Sequence, residues 1–488
     1  MKQETEEQQD FVKEVTKMSD DFDRWYTEVV RKAELADWSG VRGMMVVRPY
    51  GWAMWEAIMR AFDDMIKESG HENWAFPLLI PREFLMKEAE HIEGFAPEVA
   101  WVTRAGGAME ELEEPLAVRP TSETIIGPLI KRYIQSHRDL PKLTNQWNSV
   151  VRWEMRSRLF LRSREFWWQE GHTFHASAQE AIDEADMILG YYRAIAEEWL
   201  AVPVLAGRKS PAETFPGAVH TLTVEGLMRD GIALQMGTSH YFGQNFARAY
   251  DISFSNKENE RELCHSTSWG ISTRLVGALV MAHGDDSGLI VPPKVAPIQV
   301  IVVPIFRDDE SQQKVRRFID TWSGELKHAG IRHRVDWRDE RPGDKYAHWE
   351  LKGVPIRLNV GGRDADAAQV EMVDRLTRKK VALPVEGLAE RLRKELDDFQ
   401  GRLYERAAAF QRDNTYELRT LDEVVAHFRE KGGFVWTGWC GDTEEEARIK
   451  TDAGGVTIRT IDEGAKVSGS CVVCDRPAKF RVSLAKAY

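Results

Sequence analysis

Val151-Arg152-Trp153-Glu154 leads through an arginine-studded segment to Arg162, Arg164 and Phe166, and then to Trp168-Gln169-Glu170-Gly171-His172. About a hundred residues later comes Ser268-Trp269-Gly270-Ile271-Ser272-Thr273-Arg274, heading an apolar run. The first stretch reads as a strand entering an arginine-rich hairpin, with Arg152 and Glu154 two apart and therefore on one strand face. The second is a Gly-x-x-x-Arg that opens an apolar helix. Alone, an Arg/Glu-rich strand pair also reads as a surface salt-bridge ladder. The order and spacing of the two stretches in one chain set the fold expected below.

The chain has 488 residues, room for two to four domains and a large core. With 43% hydrophobic and 30% charged residues it has the composition of a globular protein. No uncharged apolar run reaches the roughly 18 residues of a membrane span. The start, MKQETEEQQD, is acidic and has no apolar segment behind a basic one, so it does not read as a secretory signal. Four cysteines make no disulfide framework, and the cytoplasm is the expected compartment. A net charge of −12 argues against a general nucleic-acid binder, although local basic patches on an acidic protein can still grip a large RNA. The 17 tryptophans read as core or dimer packing.

Phe11, Val15, Met18, Phe22, Trp25, Val29 and Val30 recur at helical spacing and predict a first amphipathic helix. A second is predicted from Gly51 to Ser69, with Trp55, Ile58, Met59, Phe62 and Ile66 on one stripe and Gly70 stopping it. Ala75 to Pro81 reads as a short buried strand closed by proline. From Leu116 to about Gly288, short apolar runs between turn residues predict an antiparallel sheet with inserted helices, one from Gln179 to Leu200. Pro292, Pro293 and Pro297 form a stiff linker. Beyond it, strands at 299–305, 331–335 and 354–360 alternate with helices at 312–329 and 345–351, predicting a small α/β domain with parallel strands. A charged helical stretch from about Leu388 to Phe428 leads to a terminal module with three of the four cysteines.

The paired stretches resemble motifs 2 and 3 of class II aminoacyl-tRNA synthetases, and the helix–strand–proline string before them resembles motif 1, which builds a dimer interface in that class. The resemblance implies activation of an amino acid, whose carboxylate attacks the α-phosphate of ATP while pyrophosphate leaves. Charge crowds at that phosphorus, so the site needs fixed cations and Mg²⁺ rather than a covalent nucleophile. Arg152 would bridge the α-phosphate and the amino-acid carboxylate, since its planar fork suits both. Glu154 would accept from the adenine amino group, Arg162 or Arg164 would meet the outer phosphates, Phe166 would stack on the base, and Arg274 would clamp the nucleotide from the other side.

Arg119-Pro120-Thr121-Ser122-Glu123, the block from Arg152 to His172, Gln235-Met236-Gly237-Thr238-Ser239-His240 and the stretch Ser268 to Arg274 closely resemble the prolyl-tRNA synthetases, as do His283-Gly284-Asp285 and Arg341-Pro342-Gly343-Asp344-Lys345. The likeness spans essentially the whole chain and matches the archaeal/eukaryote-like branch. It implies that Thr121, Glu123, Arg152 and His240 surround proline, with Trp168, Glu170 and His172 completing the wall. Gln235, Thr238, Ser272 and Arg274 would serve ATP. The chemistry agrees: proline's ring nitrogen is a cationic secondary amine with two N–H donors, which a carboxylate and a hydroxyl can accept. Thr121-Ser122-Glu123 also reads as a helix N-cap, and a lone His240 as a structural histidine. The gap between motifs 2 and 3 is too short for the editing insertion of the bacterial branch, so no editing in cis is expected. Alanine or cysteine should leak through a small pocket, since each missing methylene costs only about 1–3 kcal/mol.

The domain after the proline linker resembles the family's anticodon-binding domain, with Tyr346, Glu350, Arg357, Arg363 and Lys379 as the expected contacts to the guanines of the prolyl anticodon. The family often carries a four-cysteine zinc site in the terminal module. This chain offers Cys440, Cys471 and Cys474, with Glu445 where the second cysteine is expected. Zinc on three cysteines plus Glu445 or water is one reading, and no metal the other. Cys264 reads as a buried core thiol. The chain ends in Tyr488, like relatives whose terminal carboxylate folds toward the active site.

The expectation is thus an α/β protein: an α+β class II catalytic domain over 1–290, an anticodon-binding α/β domain over 298–400 and a C-terminal α/β, zinc-binding-like module over 401–488. It would be a cytoplasmic homodimer using proline, ATP, Mg²⁺ and tRNA(Pro). The rivals are a paralogue that binds tRNA without ligating, an adenylating enzyme that loads a carrier protein, and a class II relative for threonine or glycine.

Overall fold

A computed structural model of the chain describes residues 15–91, 98–107 and 109–488. Its backbone is an antiparallel sheet in which strands Val204–Arg208, His220–Leu227, Ala233–Gly243, His265–Ser272, Glu165–His175 and Lys142–Val151 follow one another, with Glu72–Asn73 added parallel at the edge. The two signature stretches are neighbours in this sheet. Trp168 faces Ser272, Glu170 faces Gly270 and His172 faces Ser268, while His240 faces Ser268 from the other side. This register explains Gly171: a Cβ there would meet the Trp269 ring at 2.2 Å. Trp269 fills the space beside Gly171 and packs edge-on against Phe62 and His71.

Three helices bury this sheet's apolar side. Pro49–Glu68 starts on its proline, as N1 proline favours. Ala178–Ala194 opens with a capping box between Ser177 and Glu180. It gives way at Ile195–Trp199 to one wide π-turn, so the predicted helix to Leu200 ends differently. Arg274–His283 is buried from Leu275 to its end. The first helix spans Phe22–Lys32, not the longer stretch expected. Asp21 accepts from the Arg24 amide and so fixes the start, leaving Val15 and Met18 in the turns ahead of it. Phe11 and the acidic first residues lie outside the described residues. The strand expected over 75–81 is only Leu79–Pro81, because the Phe76 carbonyl is taken by the Arg119 guanidinium at 3.0 Å.

After the prolines a second sheet runs His333–Val335, Val300–Pro304, Ile356–Val360, Gln369–Asp374, Lys380–Pro384. Its first three strands are parallel, as alternation predicted, but the last two form an antiparallel hairpin, so the sheet is mixed. The proline segment is packed rather than loose, with Val295 and Ala296 buried. Arg375 grips Asp285 with two bonds of 2.8 and 2.6 Å, fastening this domain to the turn after helix Arg274–His283. Gly353, at φ +68°, lets Leu289 approach its backbone.

The charged stretch from 388 is two helices, Leu388–Asp413 and Leu421–Glu430, separated by strand Thr415–Glu417, which pairs in parallel with Phe434–Trp439. The first of these helices runs through position 400, where the sequence suggested a boundary. The terminal strands Thr415–Glu417, Phe434–Trp439, Phe480–Ala485 and Thr457–Asp462 extend the first sheet, joining it where Ile461 pairs with Arg208. Among the described residues no helix is long and apolar enough to cross a membrane.

Candidate active site

The sheet's polar face opens into a cleft of about 510 Å³. Its lining brings together Thr121, Glu123, Arg152, Phe166, Trp168, Gln235, Thr238, His240, Ser272 and Arg274, residues drawn from five separated segments. Glu123 is buried at the first position of helix Glu123–Ile130, where an anion is favoured by the helix dipole. Its carboxylate accepts the Thr121 hydroxyl on one oxygen and Ser268 Oγ at 2.9 Å on the other. Ser122 stands at the N-cap position, but its hydroxyl turns away to Glu170 and does not cap.

Arg152 lies between two rings, its guanidinium carbon 5.3 Å from the Phe166 centroid and 5.4 Å from Trp168, and its Nε donates to the Pro120 carbonyl at 3.0 Å. This fixes the fork's direction without using its outer nitrogens. Arg274 donates to the carbonyls of Gln235 and Leu161, both at 3.3 Å. Burial, with Arg152 and Arg162 nearby, pulls it down to about 10, so it stays cationic at neutral pH.

His240 Nδ1 pairs with the Thr221 hydroxyl at 2.9 Å, and its ring rests 4.8 Å from Phe215. Burial first, then the nearby Lys209, His172 and His220, push it down to about 3, so it is a neutral imidazole here.

Two expected wall residues lie elsewhere. Glu170 does not line the cleft; its carboxylate is buried and taken by Ser122, by Gln146 at 2.8 Å, by Asn148 at 2.6 Å and by His172 at 3.3 Å. His172 lines a small adjoining cavity instead. Burial opposes a charge on His172, but Glu123 and Glu170 outweigh it and raise its pKa. Glu170 and His172 thus back Glu123, the member of these three that lines the cleft. Their donor atoms lie within 4.8 Å of one another, but the carboxylates are already engaged by hydroxyls and amides, which does not suit a metal.

Glu154, Arg162 and Arg164 lie outside the cleft lining. Glu154 pairs with Arg162 at 3.4 Å near the surface, and Arg164 stacks 4.2 Å over Trp153. Conversely, the lining contains residues that sequence reading missed: Lys209, Glu213, Phe215 and Thr221. Arg208-Lys209-Ser210-Pro211 carries no motif that would have marked them.

In the second domain, Arg357 lies 3.9 Å over the Tyr346 ring, so these two expected contacts meet. Glu350 is buried and paired with Arg378 at 3.1 Å. Arg363 and Lys379 are exposed, on the short helix Gly362–Asp366 and in the turn before strand Lys380–Pro384. In the terminal module the thiols of Cys440, Cys471 and Cys474 lie within 4.8 Å of one another. Glu445 is not in that group: it pairs with Arg448 at 3.1 Å and Arg476 at 3.4 Å, and Arg476 Nε also contacts the Cys474 sulfur at 3.1 Å. Among the described residues this group holds three sulfurs, one donor short of the four N/S ligands that structural zinc prefers. Cys264 is buried, as expected. Tyr488 lies outside the cleft lining; its hydroxyl donates to Asp230 and its ring covers Arg158 at 5.0 Å.

Family models match three parts of the chain: the tRNA synthetase class II core domain (G, H, P, S and T) over 102–283, an anticodon binding domain over 299–395, and the prolyl-tRNA synthetase C-terminal domain over 421–488. A proline–tRNA ligase of Symbiobacterium thermophilum is 47% identical across 99% of this chain and 100% of its own. Proline–tRNA ligase 2 of Clostridioides difficile is 48% identical across 98% of each. The crystal structure of prolyl-tRNA synthetase from Cryptosporidium parvum, complexed with halofuginone and AMPPNP, superposes with a TM-score of 0.92 at 39% identity, covering 97% of this chain and 99% of that one.

Proposed function

The chain belongs to the class II prolyl-tRNA synthetases and ligates proline to tRNA(Pro); from that premise we propose which residues do the work. Proline's ring nitrogen enters as a cation with two N–H donors. Glu123 takes one and Thr121 the other, its hydroxyl turning from Glu123 to present a lone pair. Neutral His240, with Phe215 and Trp168, bounds the ring without adding a charge beside the ammonium. Glu170 and His172 act from behind, holding Ser122 and the field around Glu123 in place.

A proline carboxylate oxygen attacks the α-phosphorus of ATP; the new O–P bond forms as the bond to the bridging α,β-oxygen breaks and pyrophosphate departs. Arg152, its direction set by Phe166, Trp168 and the Pro120 carbonyl, bridges carboxylate and α-phosphate. Arg274 opposes it across the cleft, so charge growing at phosphorus meets fixed cations. Gln235, Thr238 and Ser272 line the nucleotide side. Glu154 meets the adenine amino group, and Arg162 or Arg164 the outer phosphates, after leaving their surface partners. Class II synthetases use ATP with Mg²⁺; here the ion would ride on the triphosphate and neutralise its oxygens. The terminal adenosine hydroxyl of tRNA then attacks the prolyl carbonyl, AMP leaves, and the adenylate phosphate takes the hydroxyl proton.

The observation that carries this assignment is the paired Glu123–Thr121–Ser268 carboxylate site beside Arg152 in one cleft. ATP–pyrophosphate exchange across twenty amino acids tests it: proline should dominate, with alanine and cysteine as weak leaks. Dominance by threonine or glycine would overturn it.

The remaining assignments are proposals of the same kind. The chain works as a cytoplasmic homodimer with domains near 1–290, 298–400 and 401–488. Tyr346, Glu350, Arg357, Arg363 and Lys379 serve the anticodon. The chain is of the archaeal/eukaryote-like branch without cis editing. Supporting this last point, elements from Ala178–Ala194 to Arg261–Leu263 either join the catalytic sheet or pack near it. No step runs through zinc.

A further inference from the structure

One wall of the cleft, from Lys209 to Pro216, is not held by the catalytic domain alone. Lys209 Nζ reaches the buried carboxylate of Glu225 at 3.2 Å, on the oxygen that also accepts Thr223 Oγ1 at 2.8 Å. The other oxygen is taken by Arg459, from strand Thr457–Asp462 of the terminal module, through Nε at 3.1 Å and Nη2 at 2.8 Å. Arg459 Nη1 bonds Thr457 Oγ1 at 3.0 Å and lies 3.9 Å from Glu213, a residue that lines the cleft. One residue on, Ser210 donates its hydroxyl to Glu446, on helix Thr443–Asp452 of the same module. Just beyond these anchors Thr214 and Phe215 line the cleft, and the Phe215 ring centroid lies 4.8 Å from that of His240.

The charges explain why the arrangement holds together. Glu225, Lys209 and Arg459 are nearly removed from solvent. A lone buried carboxylate is costly, and so is a lone buried ammonium. With Lys209 alone, the Glu225 oxygen on the module's side would face no cation. Arg459 satisfies it with two N–H groups, Nε and Nη2, that converge on this one oxygen, while its third nitrogen is left for Thr457.

We infer that the C-terminal module is a working wall of the amino-acid pocket, with Arg459 and Glu446 as positioning residues that hold Lys209 and the segment 210–216 against bound proline. This rests on the assignment of the cleft as the proline and ATP site. It predicts that damage in the module is felt in proline binding, not in ATP binding or in the chemical step.

The test is ATP–pyrophosphate exchange by the full-length enzyme. Proline-dependent exchange by the wild type is measured first; its absence would overturn the pocket assignment itself, separately from this inference. Arg459→Met should raise KM for proline about tenfold or more, leaving KM for ATP and kcat within about threefold, the pattern of lost uniform substrate binding. Glu446→Ala should shift KM for proline in the same direction more weakly. Glu446→Gln, which keeps an acceptor for Ser210, should restore it. Should Arg459→Met not fold, the Glu446 pair decides. An unchanged KM for proline, a parallel rise in both KM values, a loss confined to kcat, or Glu446→Gln behaving like Glu446→Ala would overturn the inference.

Discussion

Glu123 and Ser268 meet in a 2.9 Å hydrogen bond that ties the first residue of helix Glu123–Ile130 to the strand His265–Ser272. The carboxylate is thereby fixed in place, and in the proposed site its charge meets the cationic amine of proline. Glu123→Gln keeps the shape and removes the charge. It should cost about 2–4 kcal/mol of transition-state binding, roughly 30- to 1,000-fold in kcat/KM for proline. Ser268→Ala leaves the charge and should cost only about 1 kcal/mol. Pyrophosphate exchange reads both, and a Glu123→Gln enzyme as active as the wild type would remove this carboxylate from substrate recognition.

Arg152 offers a different test because its position depends on planarity. Between Phe166 and Trp168 a guanidinium presents faces to both rings while, in the proposed site, its edge is left for substrate. Lysine has neither the faces nor the fork. Arg152→Lys should therefore lower kcat for exchange by about 10²–10³, with a smaller change in KM for proline. Near-normal kcat would mean that a point charge suffices there.

These residues were legible because two local patterns, Arg-x-Glu and Gly-x-x-x-Arg, sit at the ends of strands Lys142–Val151 and His265–Ser272, which flank Glu165–His175 on either side in one sheet. What local pattern could not supply is which residues another element covers. Glu170 and His172 alternate with Gly171 as pocket residues would, yet Ser122, Gln146 and Asn148 close over Glu170 from other elements. Lys209 escaped notice for the same reason: its meaning comes from Glu225 and from Arg459, which the fold brings up from the far end of the chain. Helix ends were misjudged where one capping side chain overrode periodicity, as Asp21 does at Phe22. The strand Thr415–Glu417 is short, and its parallel partner Phe434–Trp439 lies beyond a helix, so nothing nearby announced it.

Gly171 yields a stability prediction independent of chemistry. Its missing Cβ is the space occupied by Trp269, 2.2 Å from where that carbon would be, and both are in the middle of the sheet. Neither strand can retreat without breaking the ladder. Gly171→Ala should destabilise the catalytic domain by about 3 kcal/mol, seen as a lower midpoint in thermal or urea unfolding. A midpoint unchanged from the wild type would show that the Trp269 ring can move aside.

Acid should weaken the fold before its carboxylates titrate. Burial, as the leading cause, holds His240 and His283 down to about 3 and His175 to about 4, against roughly 6.5 in an unfolded chain. Between those limits the unfolded chain binds protons that the folded chain refuses, so stability rises with pH through this window. Each such histidine adds roughly 1.4 kcal/mol per pH unit where only the unfolded form is protonated. His172 works in the opposite sense: its raised pKa stabilises the fold at low pH, and that contribution is lost as pH rises through the folded value. Below about pH 6.5 the His172 contribution is constant, so the net slope from pH 5 to 6.5 should be positive, and urea unfolding at those two pH values measures it. A flat or falling slope would mean that the three histidines take up protons without unfolding.

Arg357 and Tyr346 lead to the last prediction, because the stacked pair lies in the mixed-sheet domain and neither residue lines the cleft. An arginine braced on an aromatic face can present its edge to a guanine, and one such base contact accounts for about 1–3 kcal/mol of discrimination. Arg357→Ala should thus leave proline-dependent pyrophosphate exchange untouched, since that reaction needs no tRNA. Aminoacylation of tRNA(Pro) should fall roughly 5- to 150-fold in kcat/KM. On a transcript whose anticodon guanines are replaced, wild type and variant should perform alike, because the contact is already gone. If Arg357→Ala still discriminates between the two transcripts as the wild type does, the guanines are read by other residues; if exchange falls as well, the substitution has disturbed the fold rather than a base contact.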